Sequence, residues 1–192
     1  MKKALIIIAV IIAVLLLIAL GIGGWVKTTY NSLVTLDEAV NGYWAQVENV
    51  LQRRYDLIPN LVETVRGYAS LESEVLTRVT EARSRVGGAG TPSDRIQAEG
   101  ELSSALSRLL MVVENYPQLK ANQNFIMLQD QLEGTENRIS VARTRYNDAA
   151  RVLNSYSRQF FGSFFCRSAG VEGVAYFEAT EQAKTEVPKV QF

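Results

Sequence analysis

The most constraining feature of the sequence is an unbroken apolar run near its start. After Lys2 and Lys3, no charged or strongly polar residue occurs from Ala4 to Val26. A helix of this run is roughly 35 Å long at about 1.5 Å per residue, enough to cross a hydrocarbon core of about 30 Å. A helix is also required inside a bilayer, because the backbone there has no water to bond. The run therefore predicts one transmembrane helix.

The alternative is a cleaved signal peptide, since two lysines before an apolar stretch also begin such signals. The run exceeds the roughly 7–15 apolar residues of a signal core, and no clean Ala-X-Ala site follows it. We therefore expect residues 1–27 to remain as a membrane anchor. Lys2 and Lys3 precede the run, and only Lys27 is positive after it before Arg53. The positive-inside rule then places the rest of the chain outside the cytoplasm.

Composition narrows the chemistry that the remaining residues can perform. The 192-residue chain has 20 Lys and Arg, 20 Asp and Glu, no His and a single cysteine, Cys166. The balanced charge argues against nucleic-acid binding. The lack of His removes the usual proton-transfer side chain and the commonest metal ligand. We predict a protein that is not an enzyme and has no cofactor, with Cys166 as a small buried residue; an enzyme using carboxylates alone is the alternative.

After Lys27 the apolar residues recur in steps of three and four, the period of a helix that buries one face. The most regular row runs from Phe125 to Phe160 and contains one polar member, Thr135. We predict an all-α fold: a transmembrane helix, an antiparallel up-and-down four-helix bundle with coiled-coil-like seams over residues 28–165, and an irregular tail over 166–192.

Pro59 leaves two arrangements for the first part of the bundle. Proline in a helix interior loses a hydrogen bond and clashes with the preceding turn. A reversal of the chain near Pro59 gives four helices that cover one another through short loops, and we favour it. One long helix with a kink at Pro59 is the alternative.

The first candidate functional segment surrounds this proline. It is either a partner-binding corner or a structural break, in which Asp56 and Asn60 satisfy backbone groups freed by Pro59 and an arginine pairs across the bundle. Its candidate residues are Arg53, Arg54, Asp56, Pro59 and Asn60.

The second candidate segment follows Thr135 on the last long helix. A polar residue in an apolar seam most often sets the register of the helices, and ligand binding is the alternative. The residues that accompany it are Glu136, Asn137, Arg138, Tyr146 and Asn147.

The third candidate segment is aromatic: Phe160, Phe161, Phe164 and Phe165. As a helical turn it would insert at a membrane surface, close the open end of the bundle or contact a neighbouring subunit. The tail, which contains Tyr176 and Phe177, is expected either to dock these aromatics on the bundle or to stay mobile.

In addition, the chain resembles the LemA family. The resemblance is carried by motifs spread in order along the chain: Gln52-Arg53-Arg54-Tyr55-Asp56-Leu57-Ile58-Pro59-Asn60, Glu114-Asn115-Tyr116-Pro117, Thr135-Glu136-Asn137-Arg138-Ile139, Tyr146-Asn147 and Tyr176-Phe177-Glu178. It implies an antiparallel helical bundle on one N-terminal anchor in a bacterium, and no catalytic residues. Similar proteins usually carry a proline beside the aromatic that ends the last helix. Its absence at Phe160 predicts that the aromatic segment is helical.

These features favour a membrane-anchored, non-enzymatic scaffold or interaction protein in the bacterial envelope. Its expected partners are the lipid bilayer and either another protein or a second copy of the chain. The alternative is a membrane-shaping or lipid-organising protein that uses an oligomeric ring or the aromatic face at Phe160–Phe165.

Overall fold

The computed structural model describes residues 2–67 and 73–178. Within these ranges the chain is helical and contains no strand, so the all-α prediction is confirmed. The helices are α1 (Lys2–Arg66), α2 (Ser73–Gly88), α3 (Pro92–Val113), α4 (Pro117–Lys120), α5 (Gln123–Ser157) and α6 (Phe160–Ala169).

The chain divides into two compact units. The anchor unit comprises Met1–Gly42 with Ala149–Val174, and the bundle unit comprises Tyr43–Asp148 with Ala175–Phe192. Because α6 continues to Ala169, the irregular segment begins at Gly170 and not at Cys166 as predicted. Residues 179–192 of the predicted tail lie outside the described residues.

In the anchor unit, the apolar run forms the beginning of α1. This is the one helix in the described part of the chain that is long and apolar enough to span a membrane. Every described side chain from Ile6 to Val26 is exposed, as expected when lipid covers the helix. Further along α1, Leu33 and Val40 are buried, so there the helix packs against protein.

In the bundle unit, part of α1 packs with α2, α3, α4 and the beginning of α5. The loop from Ala89 to Thr91 joins α2 to α3, which pack together as an antiparallel pair. Thr91 caps α3, because its hydroxyl accepts a hydrogen bond from the Asp94 backbone nitrogen at 3.1 Å. Among the core residues are Ile58, Leu61, Val65, Val79, Val86, Leu102, Leu109, Leu119 and Phe125.

The predicted reversal at Pro59 is wrong, since α1 passes through Pro59 and ends at Arg66. Proline has no N–H to donate to the Tyr55 carbonyl four residues earlier. Arg83 of α2 replaces that donor: its Nε donates to the Tyr55 carbonyl oxygen at 3.2 Å, and its guanidinium lies 3.8 Å from the centre of the Tyr55 ring. The helix continues because α2 supplies the missing hydrogen bond.

The aromatic segment is helical, as the missing proline predicts, but it forms a separate helix. α5 ends at Ser157 and α6 begins at Phe160. A Cβ atom at Gly162 would lie 1.9 Å from the Tyr156 carbonyl oxygen. Glycine is therefore required at position 162 for α6 to pack this closely on the end of α5.

We expect Arg83→Met to lower the free energy of unfolding by about 1–3 kcal/mol, because the Tyr55 carbonyl loses its donor. In a Pro59→Ala background the loss should be smaller, since alanine at this position restores the N–H that the helix needs. Denaturant unfolding of the four proteins in mild detergent measures this coupling. Equal losses in both backgrounds would contradict our explanation of the continuous helix.

We expect Gly162→Ala to loosen α6. Cys166 on α6 is buried, and burial raises the pKa of its thiol, so the native thiol should react slowly with a maleimide. The variant should react about tenfold faster, equivalent to about 1.4 kcal/mol less protection against local opening. Gly42→Ala is the matched control, because its Cβ would meet open space. An unchanged labelling rate in Gly162→Ala would show that α6 tolerates the added methyl group.

Candidate functional site

A charged cluster lies inside the bundle unit and is centred on Arg54. This arginine is buried, and its Nη1 lies 3.7 Å from an oxygen of Glu99 and 3.1 Å from an oxygen of Glu136. Its Nη2 donates to the Ser103 hydroxyl at 2.9 Å. The cluster thus joins α1, α3 and α5 through one guanidinium group.

The helical repeat explains why these side chains meet. Arg54 lies three residues after Leu51 and four before Ile58, both fully buried, so it lies on the buried face of α1. Glu99 lies three residues before the buried Leu102 of α3. Glu136 follows the buried Thr135 of α5, whose hydroxyl donates to the Gln131 carbonyl oxygen at 2.7 Å.

Glu99 is the most deeply buried charged residue of the cluster, with no exposed surface. Burial raises the pKa of its carboxyl group, while nearby Arg54, Arg143 and Arg95 oppose that rise. Neither of its oxygens makes a hydrogen bond within the described part of the chain. Glu99 therefore depends on the positive charges around it, chiefly Arg54.

The cluster is suited to holding helices in one register. Arg54 belongs to the first candidate segment and Glu136 to the second, and the structure brings the two residues together. Asp56 lies elsewhere, on the exposed face of α1, where it accepts a hydrogen bond from Gln52 at 2.8 Å. Asp56 and Asn60 do not fill the position freed by Pro59, because Arg83 occupies it.

A second set of contacts holds the irregular segment against α5 in the bundle unit. The Asn147 side chain donates to the Phe177 carbonyl oxygen at 2.8 Å and accepts from its nitrogen at 2.9 Å. The Tyr146 hydroxyl donates to the Ala175 carbonyl oxygen at 2.9 Å. Phe177 is buried and stacks on Trp44, with ring centres 6.0 Å apart. Of the two alternatives for this segment, the structure shows docking for Phe177, whereas Tyr176 is exposed.

The remaining candidates lie on the surface, except Phe165. Arg53, Pro59 and Asn60 are exposed on α1, and Asn137 and Arg138 are exposed on α5. Of the aromatic segment, Phe165 is buried, whereas Phe160, Phe161 and Phe164 are exposed.

Sequence reasoning missed Glu99 and Arg83. The apolar residues of α3 that recur in steps of three and four begin at Leu102. One further step of three toward the amino terminus leads to Glu99, so the spacing indicates that this carboxylate is buried. For Arg83 no comparable signal exists, because its partner is a backbone carbonyl on another helix. Within residues 2–67 and 73–178, no three His, Cys, Asp or Glu side chains are grouped to hold a metal ion.

We expect Arg54→Met to lower the free energy of unfolding by about 3–5 kcal/mol, because it leaves Glu99 buried without its main counter-charge. Adding Glu99→Gln should restore part of the loss. Arg53→Met, at an exposed neighbouring position, is the control and should change stability by less than about 0.5 kcal/mol. Denaturant unfolding in detergent, followed by tryptophan fluorescence, measures these values. Equal effects of the two arginine variants would contradict this role of Arg54.

The same carboxyl group should make stability depend on pH. Because the pKa of Glu99 is raised in the folded protein, the folded state holds this proton more tightly than the unfolded state does. The stabilisation is complete below the ordinary value of 4.5 and is lost as the pH rises through the folded value. Glu99→Gln should remove this decline when unfolding is measured from pH 4.5 to pH 8. A decline that persists in Glu99→Gln would assign it to another group.

The chain is similar to one known protein family and to several named relatives. The family model described as LemA family matches residues 43–192. Magnetosome protein MamQ 2 of Paramagnetospirillum magneticum is 24% identical over 184 residues, covering 82% of this chain and 68% of its own length. MamQ of Magnetospirillum gryphiswaldense is 23% identical with the same coverage.

Protein LemA of Metamycoplasma hominis is 22% identical over 158 residues, covering 82% of this chain and 72% of its own length. The family model begins at Tyr43, the first residue of the bundle unit, and also includes the parts of α5 and α6 that belong to the anchor unit. The single apolar helix at the amino terminus, together with these relatives, indicates a single-pass membrane protein. By the family match over most of its length, the chain belongs to the LemA family.

Proposed function

We propose that this protein is a membrane-anchored scaffold or interaction partner in the bacterial envelope and that it does not catalyse a reaction. The apolar part of α1 provides the anchor. A groove between α1 and α5 in the bundle unit provides the surface for a partner, and this groove is the observation that carries the proposal.

The groove has a volume of about 490 Å³ and is lined by both apolar and polar side chains. Val141 is one of the apolar lining residues and is 53% exposed. Protein interfaces commonly combine apolar contacts with polar groups around them. The groove is lined by Gln46, Asn49, Val50, Asn137, Arg138, Val141, Ala142 and Arg145.

The charged side chains that line the groove suggest the chemistry of the partner. Arg138 and Arg145 supply two guanidinium groups, and the asparagine and glutamine side chains supply neutral hydrogen-bonding groups. We infer a protein segment with an apolar side chain flanked by acidic residues. In this proposal, Asn137 and Arg138 contact the bound protein segment.

The deeply buried polar groups support a non-enzymatic role. Arg54 is engaged with Glu99, Glu136 and Ser103, and such contacts hold helices together. The relatives support an association with membranes, because MamQ proteins are named as magnetosome proteins. From the positive charge before the span, we further propose that the bundle unit lies outside the cytoplasm.

A second candidate function is lipid organisation. One observation favours it: three phenylalanines of α6 are exposed in the unit that contains the membrane span. A helix with such a face can act at a bilayer surface.

We expect a photo-crosslinking amino acid at position 141 to capture a protein in native membranes, because this position lies in the groove. Ser140 is the matched control, since it is the preceding residue of α5, is exposed and does not line the groove. Gel analysis and mass spectrometry of the crosslinked product identify the partner and, from its known location, the side of the membrane on which the bundle unit lies.

The charge reversals Arg138→Glu and Arg145→Glu should abolish the crosslink at position 141. A product containing two copies of this chain would identify self-association as the interaction. Equal capture at positions 140 and 141, or capture of lipid alone, would contradict the proposed groove.

A further inference from the structure

The outward face of α6 carries exposed phenylalanines, in contrast to the usual pattern of a surface helix. Phe160 is 85% exposed and Phe164 is 68% exposed. These residues are four positions apart and therefore neighbours on one face. The opposite face is already packed against protein, because Gly162, Phe165 and Cys166 are buried. The packing of α6 in the anchor unit thus leaves two phenylalanines largely uncovered by the described residues.

The position of α6 in the anchor unit explains this exposed face. Trp25 lies at the end of the apolar run that ends at Val26, where interfacial aromatic residues are expected. Its ring contacts those of Phe161 and Phe165 edge to face, with centres 5.0 Å and 5.9 Å apart. α6 therefore lies beside the end of the span.

We propose that α6 is an interfacial helix whose outer face, formed by Phe160 and Phe164, inserts into the boundary between headgroups and acyl chains of the bilayer that α1 spans. Burial of phenylalanine in an apolar environment is favourable. Arg158 precedes the helix and Arg167 lies in its last turn, and both are exposed. Their guanidinium groups are suited to contact lipid phosphates.

The bilayer fits this face better than a second copy of the chain does. The rings of Phe160 and Phe164 contact those of Phe161 and Phe165, which in turn contact Trp25 at the end of the apolar run that lipid covers. A stable protein interface buries about 800 Å² on each partner, whereas two phenylalanines offer only about 300–500 Å². Two phenylalanines flanked by arginines fall short of a dimer interface. The proposal is independent of the groove in the bundle unit.

The test uses the full chain in vesicles of phosphatidylethanolamine and phosphatidylglycerol. An environment-sensitive fluorophore is attached at Ser168→Cys, because Ser168 is exposed, lies one turn beyond Phe164 and leaves every phenylalanine in place. Cys166 is replaced by alanine so that only position 168 is labelled. Quenching is measured with a nitroxide near the top of the lipid acyl chains and, separately, with aqueous iodide.

We expect the lipid nitroxide to quench the fluorophore and iodide to have little effect. The double variant Phe160→Ser, Phe164→Ser should reduce lipid quenching at least about twofold and increase iodide quenching, because the helix loses its inserted side chains. Met111→Ser is the matched control, since Met111 is 67% exposed but lies on α3, and it should leave both values unchanged.

Two results would overturn the proposal. Strong iodide quenching without lipid quenching would place the face in water. Protection from both quenchers would show that protein covers it. A control uses the Phe160→Ser, Phe164→Ser variant with its native Cys166. Slow maleimide labelling of Cys166 would show that α6 remains packed in this variant, so that its change in quenching reports lost insertion. Crosslinking at position 141 does not depend on these residues, so the two proposals can fail separately.

Discussion

The hydrogen bond from Arg83 to the Tyr55 carbonyl is the interaction on which the rest of the bundle unit depends. Pro59 removes the N–H that would normally bond this carbonyl, and α2 supplies a replacement from outside the helix. With α1 continuous, the buried residues on both sides of Pro59 stay on one face. Arg54 lies on that face before Pro59, so the continuous α1 carries both the charged cluster and the core residues that follow the proline.

The charged cluster gives the bundle unit a preferred arrangement of its helices. A buried ion pair is often no more stabilising than apolar residues of similar size, because both charges lose their hydration. Its consequence here is that Glu99 meets its main counter-charge only when α3 is aligned with Arg54 of α1. Glu136 of α5 contributes a second carboxylate to the same guanidinium group. A shifted register would leave a buried charge without its partner, so the cluster opposes alternative packings.

Each unit carries a surface that we propose for one kind of partner, a protein segment for the bundle unit and lipid for the anchor unit. The bundle unit has a groove lined by apolar side chains and by two arginines, which suits a protein segment. In the anchor unit, outward-facing phenylalanines lie on a helix that contacts Trp25, which suits a lipid surface. A scaffold in the envelope needs both a position at the membrane and a surface for its partner, and each proposal can be tested without the other.

The sequence by itself determined the anchor, the helical class and the apolar faces, because a long apolar run from Ala4 to Val26 and steps of three and four are local patterns. It also predicted that the segment after Phe160 would be helical, and it left open whether Phe177 would dock on the bundle. Only the tertiary structure decided that α1 passes through Pro59, that Glu99 is buried beside Arg54, and that position 162 must be glycine. Each of these depends on a contact between residues that are distant along the chain or on a close backbone approach, and neither is encoded in the spacing of residues within one helix.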